Sequence, residues 1–202
     1  MNAFAPTELQ AKAIAAIKDW FSNNTEHQQV FRVFGYAGSG KTTITKHAIA
    51  ELGLDDASGR EVLYAAFTGK AALVMTRKGT SASTIHSLIY RVSEATPAEI
   101  ERIKQDIADL RTKLPSMGAA ERLFADSQLR SLELRLADIH KPRFVLNEQS
   151  ILRDAKLLVL DEVSMVGGDM ARDLLAFGKP ILVLGDPGQL PPIRGEGAFT
   201  QA

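Results

Sequence analysis

The sequence has no cysteine, no excess of either charge and no long apolar run, and each absence excludes a class of protein. Without cysteine the chain forms no disulfide framework, no thiolate-based metal site and no thiol nucleophile. Its 24 lysines and arginines balance 24 aspartates and glutamates, so a groove for a polyanion would have to be built from local clusters such as Arg77-Lys78. The longest apolar runs fall far short of the ~20 residues of a membrane-spanning helix, and the amino terminus shows no basic segment before an apolar core. We therefore expect a cytoplasmic protein that has no membrane partner.

One stretch, Gly35 to Thr43, organises the rest of the chain. It reads Gly-Tyr-Ala-Gly-Ser-Gly-Lys-Thr-Thr and fits the phosphate-loop pattern G-x-x-x-x-G-K-[ST]. It follows the apolar run Val30 to Phe34 and precedes the helix-compatible run Lys41 to Leu52, which is the strand, loop and helix order that the pattern requires. A plain glycine-rich turn is the alternative, but the complete pattern in this context favours a nucleotide site.

The chemistry of such a loop assigns a role to each residue type. Backbone N–H groups released by the glycines can surround phosphate oxygens, and the start of the following helix attracts the anion. Lys41 is expected to reach the β and γ phosphates of ATP, and the Thr42 hydroxyl is expected to bind Mg²⁺. The predicted nucleotide-binding residues of the loop are Gly38, Ser39, Gly40, Lys41, Thr42 and Thr43.

Further apolar runs predict the fold class. Val62 to Phe67, Leu157 to Leu160 and Pro180 to Leu184 are nearly continuous in apolar residues and alternate with helical patterns. Such runs are typical of a parallel sheet covered by helices on both faces, whose ligands bind at the carboxyl ends of the strands. We therefore predict an α/β fold in which residues 1–202 form one ATP-binding domain.

Charged and amide side chains follow two of these predicted strands. Asp161 and Glu162 have the arrangement of a Walker B segment, in which Asp161 holds Mg²⁺ and Glu162 orients and deprotonates the attacking water. Gln189, in the segment Gly185 to Pro192, has an amide that can donate to the γ phosphate and accept from that water. An acidic pair ending a strand, or a plain Pro-Gly turn, is the alternative at each position.

From about residue 93 the sequence changes to charged residues alternating with apolar residues at heptad spacing. Thr96 and Pro97 begin the first helical pattern in the manner of a capping box with Glu99, and Pro115 and Gly118 interrupt it. A second apolar pattern then runs to Ile139. We predict an antiparallel helical hairpin from Thr96 to His140 within an insertion of residues 93–142, which serves either as a structural insertion or as a surface for a protein partner.

The motifs taken together resemble the first RecA-like motor domain of superfamily 1 DNA helicases, and the RecD-like branch, which translocates 5′ to 3′, is the most similar. The resemblance rests on the phosphate loop and on these segments: Pro6-Thr7 with Gln10, Phe67 to Ala72, Thr84 to His86, Leu158 to Val166 and Gly185 to Pro192. It implies a RecA-like P-loop NTPase fold, an adenine contact from Gln10, and single-stranded DNA facing Phe67, Thr68, Thr84 and His86.

Simpler physical interpretations stand beside these implied roles. Gln10 is also the N3 residue of a capping box that begins at Thr7. Phe67 can stack on a base or fill the core, Thr84 can cap a helix, and His86 can be a packed or an exposed histidine. The sequence alone leaves both interpretations open at each position.

The resulting hypothesis is the ATP-binding half of an ATP-dependent DNA helicase, which couples hydrolysis to translocation on single-stranded DNA and to unwinding. The motifs of a second RecA-like motor domain are absent from the 202 residues, so that domain is an expected partner and this chain alone is expected to hydrolyse ATP slowly. One alternative is a nucleotide-gated binding module without turnover of its own. A small-molecule kinase ranks last, because the hairpin offers no obvious lid glycines.

Overall fold

The computed structural model describes residues 5–54, 58–139, 141–186, 188, 198 and 199, so the predictions for Gln189 and for the His140 end of the hairpin lie outside the described residues. Its strands are β1 (Val30–Phe34), β2 (Val62–Ala66), β3 (Ala82–Thr84), β4 (Tyr90–Ser93), β5 (Arg143–Leu146), β6 (Leu157–Asp161) and β7 (Ile181–Gly185). Its helices are α1 (Glu8–Asp19), α2 (Lys41–Glu51), α3 (Gly69–Arg77), α4 (Ile85–Ile89), α5 (Pro97–Lys113), α6 (Ala119–Ala137) and α7 (Gly168–Ala176). Within the described ranges, no helix is both long enough and apolar enough to span a bilayer.

Five strands form a parallel sheet in the order β1, β7, β6, β2, β3. The fold is therefore the predicted P-loop NTPase type, with β7 inserted between the strand before the phosphate loop and the strand that ends in Asp161. Because all the strands are parallel, their carboxyl ends meet at one edge of the sheet, where the predicted site residues follow them.

Alternate residues of the central strands enter two separate cores. Leu157 and Val159 of β6 pack with α1, α2 and α3 on one face, whereas Leu158 and Leu160 pack with α4 and α7 on the other. Successive side chains of a strand point to opposite faces, so a sheet covered on both sides needs apolar residues throughout. This explains why the runs are continuous in the sequence.

The helix boundaries follow the predicted signals. Thr7 and Gln10 form the predicted reciprocal capping box at the start of α1. The helix after the phosphate loop ends just before Gly53, whose φ of 68° is the left-handed conformation that glycine adopts without strain. The predicted strand that begins at Val62 ends at Ala66, one residue early, which leaves Phe67 in the following loop.

Residues 91–145 form a second compact unit, and their limits lie a few residues outside the predicted insertion of 93–142. It contains α5 and α6. Ile103 and Ile107 of α5 form a small core with Ile139, which follows α6, and leucines of α6 pack against this core: Leu129, Leu132 and Leu136. The capping box predicted at Thr96 is only half formed. The Thr96 hydroxyl accepts the Glu99 N–H at 3.2 Å, but the Glu99 carboxylate lies 2.7 Å from the Arg135 guanidinium instead of returning to the cap.

Candidate functional site

A cavity of about 660 Å³ opens at the carboxyl ends of the central strands. Its walls include most of the residues predicted to hold and hydrolyse a nucleotide: Gly38, Ser39, Gly40, Lys41, Thr42, Thr43, Asp161 and Glu162. The phosphate loop and the Walker B segment are more than 100 residues apart in the sequence, and the parallel sheet brings them to one side of a single cavity. This volume is in the usual range for small-molecule sites, roughly 300–1,000 Å³.

The phosphate loop reaches its curvature through two glycines with positive φ. Gly38 has φ 79° and Gly40, which caps α2, has φ 87°. A side chain in this region costs ~1–2 kcal/mol, so glycine is required for the backbone to fold around an anion. Lys41 is the first residue of α2, so the N–H groups at the start of this helix lie beside the cavity.

The Lys41 side chain forms hydrogen bonds with the backbone of its own phosphate loop. Its Nζ donates to the carbonyl oxygens of Gly35 at 2.5 Å and Tyr36 at 3.1 Å. These two neutral acceptors hold the ammonium group at the mouth of the loop. A phosphate would offer the same group charged acceptors, with which hydrogen bonds are roughly twice as strong.

Gln10 lies against the same loop and also serves as a capping residue. Its Oε1 accepts the Thr7 N–H at 3.0 Å, and its Nε2 donates to the Ser39 carbonyl at 3.3 Å. The amide therefore links α1 to the phosphate loop, although it does not line the cavity. Its contact with adenine stays a prediction.

The acidic pair ends β6 with an unusual backbone. Asp161 is still paired in the sheet, and its Oδ1 accepts the Glu162 N–H at 2.9 Å. Glu162 has φ 53° and ψ 47° and is the one non-glycine residue with positive φ among those that the structure describes. Residues held in such conformations concentrate at functional sites, because the surrounding structure must offset the cost. Nothing in the sequence near Glu162 indicates this strain.

The donor set fits Mg²⁺ bound together with a nucleotide. Within the described part of the chain, no group of three or more His, Asp or Glu side chains could hold a metal ion. Thr42 and Asp161 instead supply one hydroxyl and one carboxylate to the same cavity. Mg²⁺ is usually bound by one or two carboxylates together with substrate phosphates and waters, rather than by a cage of protein ligands.

The end of β7 and the residue after it also belong to this region. The Gly35 N–H donates to the Gly185 carbonyl at 3.1 Å, which joins the end of β7 to the start of the phosphate loop. Asp186 lines the cavity, and its Oδ1 accepts the Gly188 N–H at 2.9 Å. Asp186 lies three residues before the predicted sensor Gln189 in the sequence, and the motifs predict no role for it.

Three lysines of the cavity wall carry no predicted role at a nucleotide: Lys46, Lys70 and Lys78. Lys46 Nζ donates to the carbonyl oxygens of Lys78 and Gly79 at 3.2 and 2.9 Å, where a cation offsets the partial negative charge of the α3 carboxyl end. Lys46 follows Thr42 by four residues, and this helical spacing is the signal that places both on one face of α2.

The residues predicted to face DNA occupy two environments. Thr68 caps α3 by accepting the Ala71 N–H at 3.2 Å, and it lines the nucleotide cavity. Thr84 caps α4 by accepting the Ser87 N–H at 3.1 Å, as its simpler interpretation predicts. The rings of Phe67 and His86 contact each other edge to face, with centroids 5.9 Å apart. Contact of these four residues with DNA stays a prediction.

Comparisons with known proteins give a family and similar solved structures. A family model described as "AAA domain" matches residues 7–202. No curated protein sequence matches the chain significantly. The crystal structure of a double mutant of the Pif1 helicase from Bacteroides is similar with a TM-score of 0.48 and 24% identity, over 97% of this chain and 35% of that chain. The Pif1 helicase from Candida albicans gives a TM-score of 0.48 and 18% identity over 95% and 34%. This chain thus spans about a third of the length of those two.

Proposed function

This chain belongs to the AAA domain family, and we propose that it is the ATP-binding motor domain of an ATP-dependent DNA helicase. In this proposal the helicase is of superfamily 1, its motor is completed by a second RecA-like domain, and ATP hydrolysis drives translocation on single-stranded DNA and unwinding. The observation that carries the nucleotide part is the convergence of Lys41, Thr42, Asp161 and Glu162 on one cavity. The DNA part is supported by the motif resemblance.

Each residue of the cavity has a defined task. Lys41 exchanges its two carbonyl acceptors for the β and γ phosphates, and Thr42 and Asp161 hold Mg²⁺. When bound, Mg²⁺ neutralises charge that develops on the phosphates. Glu162, whose exposed side chain projects from the strained turn after β6, orients the attacking water and accepts its proton.

Two glutamines complete the proposed nucleotide site. Gln10 already bonds to the phosphate loop at Ser39, so a nucleotide in that loop would come within reach of its amide or perturb it. Gln189 follows Gly188 in the sequence, within the segment Gly185 to Pro192 that carries part of the resemblance to helicases. We assign Gln10 to adenine and Gln189 to sensing the γ phosphate.

The proposed DNA surface lies after β2 and at the start of α4. Phe67 and His86 supply rings, and stacking of a base on an aromatic side chain contributes about 1–3 kcal/mol. Thr68, which follows Phe67, caps α3, and Thr84 caps α4, to which His86 belongs. Thr68 also lines the cavity, and in this proposal that wall of the ATP site adjoins the DNA surface.

The nucleotide claim is tested by calorimetric titration of Mg²⁺-ATP into the wild type and Lys41→Ala. Hydrogen bonds to charged groups contribute ~1.5–3 kcal/mol, so loss of this lysine should weaken binding by about tenfold to a hundredfold. Lys113→Ala, on α5 and outside the cavity lining, is the matched control and should bind as the wild type does. Equal affinities in Lys41→Ala and Lys113→Ala would remove the central claim.

A nucleotide-gated binding module is the second candidate function. It is favoured by large apolar side chains that α6 exposes, namely Leu123, Phe124 and Leu134, each at least 70% accessible. Steady-state ATP turnover, measured with and without single-stranded DNA and with a second motor domain supplied, separates the two functions. DNA-stimulated turnover favours the motor, whereas tight ATP binding without turnover under every condition favours the module.

A further inference from the structure

Tyr90 and Asp173 form a side-chain hydrogen bond beside the proposed DNA surface. The Tyr90 hydroxyl donates to Asp173 Oδ2 at 2.5 Å, and both side chains are partly buried. Burial, and then the nearby carboxylate of Asp173, raise the pKa of the Tyr90 hydroxyl well above its usual range, so the hydroxyl remains a donor at any physiological pH. Tyr90 directly follows α4, and Asp173 belongs to α7.

The Tyr90 ring extends the aromatic contact between Phe67 and His86. Tyr90 follows His86 by four residues, and their rings lie 5.8 Å apart at an interplanar angle of 45°. On its other side His86 meets Phe67 at 5.9 Å and 65°. The exposed imidazole is therefore flanked by two rings, one of which is fixed through its hydroxyl.

An exposed side chain that must bind a ligand loses rotational freedom on binding, and a ring fixed beforehand avoids part of that loss. Phe67 is fixed by its packing against the core formed with α4 and α7. His86 is exposed, so contacts with the neighbouring rings, rather than burial, restrict the rotation of its imidazole. Asp173 anchors this arrangement from α7, the helix that follows the turn bearing Glu162.

We propose that Tyr90, anchored by Asp173, is a positioning residue of the DNA surface, which holds the His86 imidazole beside Phe67 in the orientation that single-stranded DNA contacts. The inference rests on the proposed function, because it requires the DNA surface. It adds two residues to that surface, neither of which belongs to the motifs that resemble helicases.

The test combines DNA binding with the resonances of His86. Fluorescence anisotropy with a labelled oligothymidylate gives affinity, NMR of the imidazole C–H groups reports the surroundings of His86, and His86→Gln assigns its signals. Tyr90→Leu should shift the His86 signals and weaken oligothymidylate binding by about three- to tenfold, which corresponds to a loss of ~0.7–1.4 kcal/mol. Tyr90→Phe and Asp173→Ala, which remove only the anchor, should show smaller changes of the same kind. Asp173→Asn keeps an acceptor and should bind within twofold of the wild type.

Two controls distinguish loss of the Tyr90 contact from a general loss of folding in the variants. Phe124→Leu removes an exposed ring from α6 and should leave both readouts unchanged. Every variant is first titrated with Mg²⁺-ATP, and unchanged ATP affinity shows that the nucleotide site is intact. If Tyr90→Leu fails to bind ATP, the decision passes to Tyr90→Phe and Asp173→Ala.

Unchanged His86 signals, or unchanged oligothymidylate affinity, in Tyr90→Leu would overturn the inference and leave Tyr90 as a link between α4 and α7. If Tyr90→Leu does not fold, unchanged His86 signals or unchanged oligothymidylate affinity in both Tyr90→Phe and Asp173→Ala would overturn the inference instead. A wild type that binds ATP but not oligothymidylate would overturn the proposed DNA partner, and this inference with it. If the wild type binds oligothymidylate and Tyr90→Leu matches it in affinity or in its His86 signals, the inference is overturned and the proposed DNA partner is not.

Discussion

Replacing Glu162 by glycine should stabilise the fold and remove hydrolysis at the same time. Glu162 has φ 53° and ψ 47°, a left-handed conformation that costs a residue with a side chain ~1–2 kcal/mol. Glycine adopts this conformation without that cost, but its freedom in the unfolded chain costs ~0.5–1 kcal/mol. The difference predicts a gain on the order of 0.5–1 kcal/mol in the free energy of unfolding.

The assay compares the wild type, Glu162→Gly and Glu162→Gln by urea unfolding, by thermal unfolding and by ATP turnover with a second motor domain supplied. Glutamine removes the carboxylate and keeps the side chain, so it should lose turnover without gaining stability. For a chain of this size, 1 kcal/mol corresponds to a melting shift of about 2–4 °C, so the glycine variant should melt about 1–4 °C higher. Loss of a general base should slow the chemical step by roughly 10²–10⁴ in both variants.

The two variants distinguish strain from charge. If Glu162→Gly and Glu162→Gln were stabilised equally, the gain would come from removing a negative charge next to Asp161. If Glu162→Gly were no more stable than the wild type, the left-handed turn would store no strain and the reasoning would be wrong. Wild-type turnover in Glu162→Gln would refute its role as base.

Three further predictions concern the surroundings of the site. Gly185→Ala should lower the free energy of unfolding by about 1–3 kcal/mol, because a Cβ there would overlap the Phe34 ring; in urea unfolding, Phe34→Ala should recover part of the loss, and purely additive losses would exclude the clash. Glu51→Gln should lower the urea midpoint at pH 7 but not at pH 3. The hydrogen bond from Lys18 holds the pKa of the Glu51 carboxyl below its ordinary value. The ionised carboxylate therefore stabilises the fold above that ordinary pKa, and the stabilisation is lost as the pH falls through the folded-state pKa. Equal losses of urea midpoint at pH 7 and pH 3 would contradict this assignment. Replacing residues 96–140 by a Gly/Ser linker should leave Mg²⁺-ATP affinity within a few fold in calorimetry, since α5 and α6 have a core of their own, and loss of binding would show that the nucleotide site depends on them.

Local signals made much of the fold predictable. The phosphate loop, its preceding strand and its helix depend on glycines, a lysine and apolar residues that are adjacent in the sequence. The caps at Thr7, Thr84 and Thr96 form because a hydroxyl reaches a backbone N–H three residues ahead. The parallel sheet followed from continuous apolar runs, which is why Asp161 was expected near the phosphate loop.

Other features depend on contacts between distant segments and had no local signal. The insertion of β7 between β1 and β6 is decided by packing across the whole sheet. Tyr90 and Asp173 are 83 residues apart, so nothing near either residue indicates the hydrogen bond. Lys41 was predicted to contact phosphates, and its bonds to two carbonyls of the loop depend on the folded loop itself.

The strain at Glu162 persists because the residues on both sides are fixed more firmly than Glu162 itself. Asp161 is paired in the sheet with Ala66 on one side and Leu184 on the other. Val163 is fully buried and begins a tight turn, in which the Val166 N–H donates to the Val163 carbonyl at 3.0 Å. A single residue must therefore turn the chain from the sheet edge into the core. Relaxing it would free ~1–2 kcal/mol, whereas exposing a buried valine costs ~1.5–3 kcal/mol and would also break the turn. The exposed carboxylate of Glu162 is consequently held at the cavity by the packing of its neighbours, in the position that the proposed base requires.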